Sequence, residues 1–108
     1  MAENIANILR AGSVELDTVQ RQVKQDGVIV RLLPIDLLLL EFFMRHPNQI
    51  FSSEELLSRV WKNQRSATNA ALRASLKRIR KQLHEDPENS IIETVPYVGY
   101  RLRAFERM

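Results

Sequence analysis

From Pro34 to Met44 the chain is apolar at nearly every position: Ile35, Leu37, Leu38, Leu39, Leu40, Phe42, Phe43 and Met44, interrupted by Asp36 and Glu41. Pro34 suits the first position of a helix, where its missing N–H costs nothing, and His46-Pro47-Asn48 supplies an end. A helix that is apolar nearly all round has to be covered on more than one side. It is also too short, and too charged, for the ~20 apolar residues of a membrane span. The rest of the chain must therefore build layers around it.

With 108 residues there is material for one core and not for two. Upstream, Val14-Glu15-Leu16 alternates, Gln22-Val23-Lys24 follows, and Asp26-Gly27 is a hairpin turn before Val28-Ile29-Val30. About three antiparallel strands are expected there. Residues 1–12 are weakly patterned, hold Gly12 and are expected to be a leader or linker, with the domain over 13–104 and a tail at 105–108. Hydrophobic residues at 44% are too many for a disordered chain. The absence of cysteine excludes a disulfide scaffold and a thiolate zinc site and suits a reducing compartment. Met1 to Arg10 lacks the basic start and apolar block of a secretory signal, so the cytoplasm is the expected location, with no membrane association.

Downstream, Ser52 is placed to cap a second helix, with Glu55 three residues on reaching back to its amide and Phe51 and Leu56 as a hydrophobic staple. That helix should run to about Trp61, and Lys62 to Ala67 is a short polar loop. A third helix is expected over about 68–84, with Pro87 beyond its end. At roughly 100° per residue, Leu72, Leu76, Ile79 and Leu83 fall within about 60° of arc. Ala70, Arg73, Ala74, Lys77, Arg78 and Lys81 lie on the remaining side, with Arg80 at its flank. Alanines at 70, 71 and 74 keep the first turns thin enough to enter a groove about 12 Å wide. Ile91 to Val95 and Tyr100 to Leu102, around Pro96-Tyr97-Val98-Gly99, form a terminal hairpin.

The charge is concentrated in the same segment. Between Lys62 and Lys81 lie seven basic residues (Lys62, Arg65, Arg73, Lys77, Arg78, Arg80, Lys81) and no acidic one, out of 16 basic and 13 acidic in all, so the remainder carries 9 minus 13, or −4. An acidic chain with one basic segment has the electrostatic footprint of a nucleic-acid binder, although charge alone favours the plainer reading of a solvated helix face. Nothing points to an enzyme: there is no H-E-x-x-H, P-loop, G-x-S-x-G or dinucleotide glycine pattern, and no cofactor is expected. His84, Glu85, Asp86 and Glu88 form a charged helix end, not a metal cluster.

Helix, turn, basic helix and hairpin are the parts of a winged helix. Phe51-Ser52-Ser53-Glu54-Glu55-Leu56-Leu57-Ser58-Arg59-Val60-Trp61, Leu76-Lys77-Arg78-Ile79-Arg80-Lys81-Gln82-Leu83 and Ile92-Glu93-Thr94-Val95 with Gly99-Tyr100-Arg101-Leu102 resemble the OmpR/PhoB-type effector domain of bacterial two-component response regulators, in order and spacing over roughly residues 12–104. The resemblance implies an α+β winged helix-turn-helix: a four-stranded N-terminal sheet, three helices and a C-terminal hairpin wing over about 91–103. It implies sequence-specific binding of double-stranded promoter DNA and transcriptional regulation, with the third helix in the major groove and the wing at the minor groove. It also implies paired domains on direct repeats, a receiver domain in the full-length protein, and a loop facing RNA polymerase, here Lys62, Asn63, Gln64, Arg65 and Ser66.

By the same resemblance Arg78 stands where a base-reading arginine belongs, and Lys77 and Arg80 at neighbouring basic positions serving phosphates or bases. Lys81 shares their basic face. Arg73 and Ser75 match groove-facing positions, and Trp61 and Thr94 match positions that contact backbone phosphate. For Trp61 the alternative is core packing; for Thr94 it is an ordinary strand residue. Tyr100 packs or contacts DNA, and Tyr97 is a surface aromatic or presses on a sugar. Three departures stand out. Pro96-Tyr97 replaces the Arg-Gly often found at the wing tip, leaving Arg101 or Arg103 as substitutes. The proline resembles membrane-tethered relatives of the ToxR/CadC type. Leu33 replaces a threonine cap, and the sequence holds no receiver domain, so the chain is expected to be either the excised C-terminal half of a longer regulator, which the linker-like residues 1–12 favour, or a stand-alone regulator. The competing functions are a winged helix used for protein–protein contact and an RNA-binding basic domain. The DNA reading requires Lys77, Arg78 and Lys81 to share an exposed surface free of the protein's own carboxylates.

Overall fold

The computed structural model of the protein describes residues 7–103. The chain opens with a meander of four antiparallel strands in sequential order: β1 (Ile8–Ala11), β2 (Val14–Asp17), β3 (Gln22–Gln25) and β4 (Val28–Val30). Period-two alternation sends Ala11, Val14, Leu16 and Val23 into the core, while Glu15 and Lys24 face out. Gln25 pairs with Val28, so the loop between β3 and β4 is the two residues Asp26-Gly27. Both have positive φ, 52° and 83°, as the twist-matched hairpin turn demands.

Strand β1 corrects the expectation of a linker over 1–12. Its four residues are too few to show a period, but Leu9 lies opposite Leu16 and Arg10 opposite Glu15, so the strand is made by its partner. Residues 1–6 of that linker and the tail at 105–108 lie outside the described residues.

Three helices follow: α1 (Pro34–Arg45), α2 (Ser53–Arg59) and α3 (Asn69–Gln82). Pro34 is the first residue of α1, and Leu33 before it contributes no side-chain cap. The helix packs on β1 on one side and on α3 and the hairpin on the others, which buries Leu37, Leu39, Leu40, Phe43 and Met44. Ser52 and Glu55 form the reciprocal capping box at α2, and Phe51 and Leu56 are both buried beside it. The helix stops at Arg59, two residues earlier than expected, because Lys62 and Asn63 adopt left-handed φ of 54° and 59°. The Thr68 side chain caps α3 at the Ala71 amide, and Gln25 Nε2 donates to the Leu83 carbonyl at its far end.

The chain closes with β5 (Ile92–Val95) and β6 (Gly99–Leu102), an antiparallel pair. The hairpin is anchored where Phe51 and Tyr100 exchange backbone hydrogen bonds, each 2.9 Å. A Cβ at Gly99 would stand 1.9 Å from the Phe51 carbonyl oxygen, so only glycine permits this approach. Sheet, three helices and hairpin together make the winged helix-turn-helix that the resemblance implied.

Candidate nucleic-acid interface

The seam of α3 is buried as its spacing required: Leu72, Leu76, Ile79 and Leu83 are all 2% exposed or less. What the seam leaves is decided by the two flanks. On one flank Arg80 turns to the wing, donating from Nη2 to the Ile92 carbonyl at 2.7 Å and to Thr94 Oγ1 at 3.2 Å. Its Nε is buried with no partner among the described residues, and desolvation holds its pKa below the ordinary arginine value. On the other flank Ser75 and Arg78 turn to α1. Ser75 Oγ donates to Asp36 Oδ1 at 2.5 Å, and Arg78 donates from Nε to Oδ2 at 2.8 Å and from Nη2 to Oδ1 at 2.9 Å.

Between the flanks Arg73, Lys77 and Lys81 are exposed and spaced four residues apart, hence stacked on one face. Among the described residues none of the three pairs with a carboxylate. Ala70 is exposed and Ala74 half-buried between them, so the face is flat close to the backbone and cationic further out. A shallow groove runs from Arg73, Lys77 and Lys81 to Thr94 and Tyr100, joining the helix to the wing. Tyr100 is half-buried and packs against the core; Thr94 is exposed.

Several site expectations change in this light. Ser75 is fully buried and does not face a groove; its position lies about 40° beyond Ile79 on the helix, just outside the seam on the flank that packs against α1. The requirement that Lys77, Arg78 and Lys81 all be free of carboxylates holds among the described residues for the two lysines and fails for Arg78, because the apolar helix α1 buries Asp36 at 1% exposure and a buried carboxylate needs a cation. The side chain is nonetheless 42% exposed, and the hydrogen bonds to Asp36 hold the Arg78 pKa above the ordinary arginine value. Arg80 is committed to the wing. Trp61 is 3% exposed and belongs to the core.

At the wing, Arg101 is held by Glu93 directly across the hairpin at 2.8 Å, and Arg103 donates to the Ser90 carbonyl. Neither stands at the tip, so neither replaces the missing arginine there. The tip itself is Tyr97, fully exposed with φ 66°. Lys62, Asn63, Gln64, Arg65 and Ser66 are all exposed in the α2–α3 loop. The residue that sequence reasoning missed is Asp36. Its signal was an acidic residue among apolar ones in a helix that had to be covered.

No helix among the described residues is long and apolar enough to cross a membrane, and no cluster of metal-ligating side chains occurs among them.

A family model described as "Transcriptional regulatory protein, C terminal" matches residues 27–102. The chain is 33% identical over 97 residues to the DNA-binding response regulator MtrA of Mycolicibacterium smegmatis, spanning 89% of this chain and 42% of that protein. It therefore covers less than half the length of that curated relative. Its fold is similar to the DNA-binding domain of Klebsiella pneumoniae RstA, solved in complex with the RstA box, with TM-score 0.79 and 27% identity over 89% of this chain and 96% of that one. It is also similar to the DNA-binding domain of Escherichia coli CadC, with TM-score 0.78 and 32% identity over 92% and 94% of the two chains.

Proposed function

The chain belongs to the family of C-terminal domains of transcriptional regulatory proteins, and from that premise we propose that it binds promoter DNA sequence-specifically as the output domain of a two-component response regulator. Helix α3 enters the major groove and the wing lies along the adjacent minor groove. The observation that carries this is the stripe of Arg73, Lys77 and Lys81, cations exposed on one face of α3 and unpaired with any carboxylate among the described residues. Such cations neutralise phosphates and release counterions.

Arg78 supplies base readout, arginine to guanine being the commonest specific contact. Arg73 and Lys77 sit within reach of either bases or phosphates. Lys81 and Thr94 touch phosphate and set the register. Trp61 acts from the core and reaches the backbone only through its indole N–H. Tyr97 and Tyr100 contact sugar and phosphate from the wing, and Arg101 does so from its pair with Glu93. Ser75 and Arg80 serve the interface by fixing α3, not by touching DNA. The DNA-binding unit includes strand β1, with the α2–α3 loop facing RNA polymerase and pairs of domains seated on direct repeats. A receiver domain in the full-length protein, a cytoplasmic location and a non-catalytic role complete the reading.

The test starts by selecting bound sequences from a random duplex pool, which yields a preferred site. Anisotropy titrations then compare that site with a scrambled duplex. Arg78→Ala should cost about 1–3 kcal/mol on the preferred site and relax discrimination, while Lys81→Ala should weaken both duplexes alike. Equal losses for Arg78→Ala on both duplexes would remove the base-reading role. A domain that ignored every duplex at physiological salt would instead be a protein-contact module.

A further inference from the structure

Asp36 is the sole carboxylate buried among the described residues, and it lies 39 residues from Ser75 and 42 from Arg78 in sequence, on a different helix. Burying an ion costs several kcal/mol unless it is paired and fully hydrogen-bonded. Here both oxygens are engaged: Oδ2 by Arg78 Nε, Oδ1 by Arg78 Nη2 and by Ser75 Oγ. Asp36 sits in the first turn of α1, directly after Pro34 and Ile35, so its backbone is fixed by the best-covered helix of the fold. The carboxylate is therefore a rigid anchor and Arg78 the movable partner.

The geometry of that pair decides which edge of Arg78 remains. A guanidinium carries five N–H groups in a planar fork. Asp36 occupies its side edge, Nε with one Nη2 hydrogen. The end edge, formed by Nη1 and the second Nη2 hydrogen, has no partner among the described residues, and the side chain is 42% exposed. An end edge offers two parallel donors. In the major groove guanine presents two adjacent acceptors, N7 and O6, whereas adenine presents one acceptor beside an amino donor.

We propose that Asp36, steadied by Ser75, is a positioning residue for base recognition: it pins Arg78 by its side edge so that only the end edge is offered, which restricts the contacted base to guanine. This rests on Arg78 being the base reader. Unpinned, the arginine swings among phosphates and other bases and contributes charge without choice. Asp36 therefore supplies discrimination, not affinity, and its removal also strips a negative charge from beside the interface.

The test uses the preferred duplex, a scrambled duplex, and the preferred duplex carrying 7-deazaguanine, which lacks N7, at the base assigned to Arg78. For Asp36→Asn, shown folded by circular dichroism, the preferred-to-scrambled affinity ratio should fall about tenfold. Binding to scrambled DNA should be unchanged or tighter, and the 7-deazaguanine penalty seen in the unmodified protein should vanish. Ser75→Ala should move the ratio the same way by less, and it carries the test alone if Asp36→Asn does not fold. In an Arg78→Ala background Asp36→Asn should alter the ratio no further, which a merely structural role would not predict. A retained ratio and retained 7-deazaguanine penalty in the Asp36 and Ser75 variants, with Arg78→Ala still losing both, would overturn the positioning role and leave base reading by Arg78 intact. Arg78→Ala keeping its ratio would overturn the base-reading premise itself.

Discussion

Arg80 on α3 holds Thr94 on the wing: its Nη2 reaches both the Thr94 hydroxyl and the Ile92 carbonyl while its Nε sits buried. Both residues were expected at the DNA interface; in the structure they meet each other, and the wing is indexed to the helix through them. Arg80→Ala should therefore destabilise the fold by about 1–3 kcal/mol, the usual cost of losing hydrogen bonds to a charged group, read as a lower urea midpoint. It should leave the slope of log binding constant against log salt unchanged on any duplex. A slope smaller by about one would mean that Arg80 neutralises a phosphate after all.

The wing root depends on a position with no side chain. At Gly99 a methyl group would collide with the Phe51 carbonyl oxygen at 1.9 Å and crowd the Phe51 carbonyl carbon at 2.7 Å. Gly99→Ala should break the paired hydrogen bonds between Phe51 and Tyr100 and cost roughly 3 kcal/mol, a clash added to two lost bonds of about 1 kcal/mol each. Amide exchange at Phe51 and Tyr100 should accelerate far more than in α1. Protection equal to that of the parent protein would contradict the close approach.

Tyr97 holds a left-handed φ of 66° with its side chain fully exposed. That conformation costs a non-glycine residue on the order of 1 kcal/mol, and it is imposed by the Val95–Val98 turn, closed by the Val98 amide on the Val95 carbonyl, whose third position needs a positive φ. Tyr97→Gly should thus preserve or slightly raise the urea midpoint while weakening DNA binding severalfold on preferred and scrambled duplexes together. Unchanged binding on both would make the ring a bystander.

Glu41 receives Arg21 and Arg45 on its two oxygens. Burial pushes its carboxyl up, but the hydrogen bonds and charges of the two arginines outweigh it, and the net shift is below the ordinary 4.5. A carboxylate with a depressed folded pKa stabilises fully above its unfolded value and loses that contribution as pH falls through the folded one. Glu41→Gln should cost under about 1 kcal/mol at neutral pH, since both arginines are substantially solvated. The deficit should shrink on acidification until the two urea curves coincide. A gap that stays constant to low pH would mean that the ion pairs carry none of the difference.

The elements were legible where local chemistry and periodicity agreed. The Ser52–Glu55 capping box, the Asp26-Gly27 turn and the Leu72–Leu83 seam could be placed from the residues, and each is short-range in origin. Strand β1 was not legible, since Ile8–Ala11 becomes a strand only by pairing with β2. Ser75 was misplaced although the wheel contained the answer: its angle lies beside Ile79, not among Lys77 and Lys81.

The sequence by itself determined that a basic helix would bury one apolar seam and turn its cations outward, because a 3.6-residue period fixes which side chains share a face whatever surrounds them. Only the tertiary structure decided which of those cations stay free. Asp36 lies 42 residues before Arg78, and Thr94 lies 14 after Arg80. Ion pairs and hydrogen bonds depend on distances of a few ångströms between elements, which no spacing along a single helix records. That is why Arg73, Lys77 and Lys81 face solvent while Arg78 is pinned to α1 and Arg80 to the wing.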